Sequence, residues 1–207
     1  MNPMRFFLKP FPGEGNPAGV TIGGSIVRRA DSLSVRCEVR GNLSKVSILA
    51  AAEAPRRRDR LWEETCLELF LGTADSGEYW EFNLSPSGDW NVYRFTRYRE
   101  GMREESAIAS LPFDVRIGPD ALEHSMELDL GKIIPAGETI EAGVAVVIKS
   151  VKGGSNYWAL IHPGPRPDFH RRENFGLEFP HVSHPHRHTA IISSTASTRN
   201  KLKNVMK

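Results

Sequence analysis

The chain has little of several things that narrow a function quickly. It has only two cysteines in 207 residues, Cys37 and Cys66, and their spacing matches neither a metal site nor a redox pair. Both sit in strand-like runs (SVRCEV and TCLELF), where a thiol serves as a small buried apolar group. No run approaches the ~18 apolar residues of a membrane-spanning helix. The N-terminus MNPMRFFLKPFPGEGNP lacks the apolar core and cleavage site of a secretory leader, so a cytoplasmic location without membrane attachment is expected. No stretch shows the helical period needed for βαβ units, and no internal repeat is visible.

Strong charge of one sign is also missing. The formal net charge is +2, from 27 basic and 25 acidic side chains. Five of the basic residues (Arg187, Arg199, Lys201, Lys203 and Lys207) lie beyond Pro180, where there is no acid. Removing those five leaves 22 basic against 25 acidic residues, about −3 for the body. Such a body offers no platform for nucleic acid. The expected organisation is a β-sandwich domain over 1–180 and a basic, His-rich, disordered tail over 181–207. Its histidines (His181, His184, His186 and His188) are metal-compatible in type but lack a frame that fixes their geometry.

What is present is alternation. SLSVRCEVRG sets Leu33, Val35, Cys37 and Val39 against Ser34, Arg36, Glu38 and Arg40, the pattern of a half-buried strand. Further strands are expected at Arg5 to Lys9, VTIGGSIVRR, PFDVRIG, SMELDL and NYWAL. TIEAGVAVVIKSV is almost uniformly apolar and reads as a central buried strand. Residues 61–99, LWEETCLELFLGTADSGEYWEFNLSPSGDWNVYRFTRYR, carry three of the four Trp and read as a three-stranded meander with short Gly-rich links. Parity puts Leu67, Leu69, Leu71, Trp80, Phe82 and Leu84 on a core face. It leaves Glu68, Glu81 and Asn83 on a polar face, with Arg94 expected to join them. The charged turn PRRRDR reads as solvated surface. The fold class is therefore all-β, an antiparallel β-sandwich.

No complete catalytic constellation stands out. GEGNPA is half of a dinucleotide fingerprint without a following helix, and Ser85 lacks the glycine of a nucleophile elbow. Glu63, Glu64, Glu68 and Glu81 could supply the two carboxyls of a glycosidase, or Glu68 and Glu81 could pair with Arg or Lys across the sheet. His162 and His170 bracket HPGPRPDFH with Asp168, a set that could bind a ligand, act as an acid/base pair, or satisfy the backbone of a turn. Trp62, Trp90, Tyr98 and Trp158 fall at strand ends or in loops. There a flat ring beside polar groups suits the apolar C–H face of a sugar.

Three segments, LWEETCLELFLG, YWEFNLSPSGDWNVYRFTRYREGMR and YWALIHPGPRPDFH, resemble the DOMON-like proteins of bacteria, related to family 9 carbohydrate-binding modules. The resemblance spans most of 1–180 and implies an immunoglobulin-like to jelly-roll sandwich that binds a ligand. By matching segments it points to Trp62 and Glu68, to Tyr79, Glu81 and Asn83, and to Asp168 and His170. The expected function is a non-catalytic binding module for a carbohydrate or similar small polar ligand, with no cofactor. Its site would be Trp62, Glu68, Glu81, Asn83, Trp90, Arg94, Trp158, His162, Asp168 and His170. The alternatives are a haem-binding or redox DOMON-type domain, or an enzyme using Asp168 and His170. The methionines available to haem are Met102 and Met126.

Overall fold

A computed structural model of the chain describes residues 2–16 and 18–180. The 181–207 tail, with its expected disorder and its histidines, lies outside the described residues.

Two antiparallel sheets face one another. The first has the order β1 (Met4–Phe7), β3 (Thr21–Arg29), β4 (Ser32–Arg40), β10 (Ala121–Asp129), β9 (Phe113–Ile117). The second runs β2 (Lys9–Pro10), β12 (Ser155–Ala159), β11 (Ile140–Lys149), β5 (Cys66–Thr73), β6 (Tyr79–Leu84), β7 (Trp90–Phe95), β8 (Arg103–Glu104). A last strand, β13 (Leu177–Phe179), pairs with β11 end to end with β12. The fold is an antiparallel β-sandwich. Among the described residues no helix is long and apolar enough to cross a membrane.

The first sheet follows its sequence pattern. Leu33, Val35, Cys37 and Val39 of β4 point into the core with Leu122, Met126 and Leu128 of β10, while Arg36 and Arg40 stay wet. The second sheet supplies the opposite wall from Leu67, Leu69, Leu71, Trp80, Phe82, Leu84, Val92, Val144, Val146 and Ile148. Both cysteines are free and buried.

The second sheet departs from simple alternation because both its faces are covered. All eight residues of β5 and all six of β6 are buried. An antiparallel sheet usually keeps one face in water. Here the stretch between β12 and β13 folds back over the outward face, and Phe169 and Phe175 pack there on Phe70, Tyr79, Phe95, Ala145 and Val147. Two glycines permit that approach. A Cβ on Gly72 would collide with the Arg172 guanidinium, and one on Gly143 would press the Phe175 ring and the Asn174 carbonyl. Arg172 fixes the stretch by donating to the Thr73 carbonyl at 2.8 Å and pairing with Glu141.

The PRRRDR turn is only partly solvated. Arg57 stacks on Trp90 and donates to Asn91 Oδ1 at 2.6 Å and to the carbonyls of Val92, Glu105 and Ile108. Bonding of this kind lets a cation replace backbone partners that the irregular 105–108 stretch lacks. That stretch and its continuation bury Ile108 and Leu111 in the core, while Glu105 accepts the Trp80 indole N–H at 2.9 Å.

Candidate functional site

Residues directly opposite in an antiparallel pair share a face, so register fixes what meets on the outward side of the second sheet. Glu68 stands opposite Asn83, and Phe70 opposite Glu81. Glu81 in turn stands opposite Tyr93. Glu68 and Glu81 are thus diagonal neighbours on adjacent strands. A cavity of about 560 Å³ opens above them, within the size range of small-molecule sites. Rings of Trp62, Phe95, Tyr157 and Phe169 line it, with the ionisable side chains of Glu14, Glu68, Glu81, Arg99, Arg166 and His170.

Neither carboxyl finds the cross-sheet Arg or Lys that the sequence allowed for. Glu68 is 4 % exposed and Glu81 3 %. Glu81 accepts from Asn83 Nδ2 at 2.8 Å and lies 3.7 Å from His170 Nε2. Burial, reinforced by the charge of Glu81, pushes the Glu68 carboxyl well above the ordinary range. Burial raises Glu81 to about 7, against the opposing pull of Asn83 and Arg99.

The imidazole of His170 sits over the sheet through Tyr79. The Tyr79 hydroxyl lies 2.8 Å from Nδ1 and accepts the Arg99 backbone N–H at 3.1 Å. Burial lifts the phenol to about 12, so it keeps its proton and donates it to Nδ1. Burial and then the Arg99 charge push His170 down to about 4. The neutral ring therefore carries its hydrogen on Nε2, toward Glu81.

Asp168 organises the rim. It accepts from Tyr98 Oη at 2.5 Å, from Arg99 Nη2 at 3.0 Å and from the His170 backbone N–H at 3.3 Å. Burial alone would raise this carboxyl, but the bonds from Tyr98 and Arg99 hold it below the usual range. Arg99 is itself in a left-handed turn conformation (φ 53°), which throws its side chain back over the sheet. Asp168 hydrogen-bonds the backbone of His170 and makes no hydrogen bond to its ring.

Of the ten expected site residues, Trp62, Glu68, Glu81 and His170 line the cavity, with Asn83 and Asp168 directly behind them. Four lie elsewhere. Trp158 and Trp90, 3 % and 7 % exposed, are packed between the sheets and offer no free ring for stacking. Arg94 shares the inward parity of Trp80, lies over that ring, and pairs with Glu78 at 2.7 Å. His162 donates from Nε2 to the Lys9 carbonyl at 2.9 Å, edge-on to Phe11. A wider hollow of about 820 Å³ at the sandwich edge touches Trp90 but none of the other candidates.

Sequence reasoning missed Tyr157, Phe95, Phe169, Arg99 and Arg166. Parity would have found Tyr157, because it must face opposite its neighbour Trp158. No local pattern marked Arg99 or Arg166, which arrive on turns.

No family model and no curated protein sequence matches the chain. Among solved structures it is similar to a protein of Bacteroides uniformis provisionally assigned as carbohydrate-binding. The two share 15 % identity over 83 % of this chain and 84 % of that one, with a TM-score of 0.63. It also matches a family 9 carbohydrate-binding module of Caldicellulosiruptor kristjanssonii in complex with cellotriose, at 13 % identity. That match covers 79 % and 75 % of the two chains with a TM-score of 0.48. The glucose complex of a family 9 module from the same organism gives 14 %, 69 % and 68 %, and 0.42. The first likeness establishes a shared sandwich fold.

Proposed function

We propose that residues 1–180 form a non-catalytic binding domain for a carbohydrate or similar small polar ligand, held in the cavity over Glu68 and Glu81. One observation carries this reading. A cavity of ligand size lies outside the core, walled by aromatic rings and floored by hydrogen-bonding groups that have few partners of their own. Sugars present C–H faces to rings and hydroxyls to carboxyl, imidazole and guanidinium groups, so this lining suits them. The fold shared with a protein provisionally assigned as carbohydrate-binding supports the same reading. The DOMON-like relationship belongs to the proposal on the strength of the three sequence segments.

Calorimetry with a panel of mono- and oligosaccharides tests it. Binding is expected in the wild type and weaker by about tenfold or more in Trp62→Ala, as for loss of a central aromatic contact. A panel without a binder, or a Trp62→Ala variant that binds unchanged, overturns the reading.

A further inference from the structure

Glu68 and Glu81 are side by side and almost wholly buried. Among the described residues no Lys or Arg reaches either carboxyl within ion-pair distance; the nearest ionisable nitrogen is His170 Nε2 at 3.7 Å from Glu81. Glu68 lines the cavity and receives no hydrogen bond from any described residue. Three neighbouring donors have other partners, Asn83 on Glu81, Tyr79 on His170 and Arg99 on Asp168, while Arg166 reaches the cavity from an exposed turn. A carboxyl with no protein partner, facing a cavity, is open to an occupant that satisfies it.

We infer that the cavity takes a sugar bearing a protonated primary amine, with the ammonium seated between Glu68 and Glu81. This rests on the reading of the cavity as a sugar site. An ammonium carries three N–H donors and no acceptor, so the two carboxyls, once ionised, supply acceptors that suit it. Its charge offsets that of the two carboxylates in a way no hydroxyl can. The surrounding rings of Trp62, Phe95, Tyr157 and Phe169 favour a cation over a neutral group as well. A quaternary ammonium has the same charge without N–H donors and would leave Glu68 unpaired. In the free protein burial keeps the Glu68 carboxyl well above the ordinary range and Glu81 at about 7; a bound ammonium favours the ionised pair. Binding therefore releases protons to solvent.

The test is calorimetry near neutral pH with glucosamine, glucose and N-acetylglucosamine, each in two buffers of different ionisation enthalpy. The expected result is glucosamine at least about tenfold tighter than the other two, in keeping with charge-assisted hydrogen bonds. Net proton release should accompany that sugar only. Glu68→Gln and Glu81→Gln, near-isosteric and free of the buried like charges, should each remove about tenfold of glucosamine affinity, a larger loss than either causes for glucose. Equal affinity for glucosamine and glucose, both lost in Trp62→Ala, overturns the amine and leaves the sugar site standing. Tighter glucosamine binding without proton release, or unaffected by either Gln variant, overturns its placement on the carboxyl pair. Absence of binding by all three sugars overturns the inference and, with a silent wider panel, the sugar site too.

Discussion

The Tyr79 hydroxyl donates to His170 Nδ1 at 2.8 Å while accepting the Arg99 backbone N–H at 3.1 Å. One phenol thus fixes both the tautomer of the imidazole and the turn that delivers the guanidinium. Since the bond stabilises the neutral ring, His170 should titrate near 4, where burial and Arg99 place it. Tyr79→Phe, which removes the bond to the neutral ring, should raise it only in part, since burial and Arg99 remain. Ring-nitrogen NMR over pH 3.5–8 reads both values, and a wild-type His170 titrating near 6.5 would contradict this arrangement.

The carboxyl pair gives stability an unusual pH slope. An unfolded Glu loses its proton around 4.5, whereas folded Glu81 holds one to about 7 and Glu68 is also raised well above 4.5. From 4.5 upward the folded state binds more protons, so these two groups erode stability as pH rises. His170 and His124, both lowered to about 4, act in the opposite sense and withdraw stability as pH falls from 6.5 to 4. The double variant Glu68→Gln/Glu81→Gln isolates the first effect. Its melting temperature should exceed that of the wild type at pH 8, by ~2–4 °C per kcal/mol, and converge with it near pH 4.5.

Two tryptophans of equal promise in the sequence should behave oppositely. Trp158 is a core residue, and Trp158→Ala should cost roughly 3–5 kcal/mol in urea denaturation. Trp62 is half-buried beside the Tyr93 ring at the cavity wall. Trp62→Ala should cost only about 1 kcal/mol, because it forfeits a part of one side chain's burial. Similar losses from the two substitutions would refute this division.

Asp168 is a positioning residue for the rim. Asp168→Ala removes the acceptor of Tyr98, Arg99 and the His170 backbone N–H. Partial exposure of these partners keeps the expected loss at the low end of about 1–3 kcal/mol by chemical denaturation. Asp168→Asn, which retains an acceptor oxygen, should lose less.

How far the sequence could be read follows from these residues. Alternation in SLSVRCEVRG located β4 because one side of its sheet is wet, and the same parity put Leu67, Leu69 and Leu71 inward. In β7 it failed. Tyr93 and Phe95 are apolar enough for the main core, yet they lie beside Glu81 because a second apolar layer covers that face, and Arg94 goes inward onto Trp80. A sheet buried on both sides gives no polarity contrast to read. Trp90 and Trp158 were ambiguous for a related reason, since a ring at a strand end can turn either way. Glu68 and Glu81 were visible as face-sharing residues, but their lack of a counter-ion is a property of the assembled surroundings.

The stretch between β12 and β13 both roofs the second sheet and contributes Arg166, Phe169 and His170 to the cavity. A chain cut after β12 would retain nearly all of the inner wall and yet have no enclosure above Glu68 and Glu81. Occupancy of the cavity and closure of that roof are therefore thermodynamically linked, and any occupant acts as a fastener. Amide exchange in residues 160–179 should slow with ligand far more than in β4 or β10, which makes this terminal stretch a built-in gauge of whether the cavity is filled.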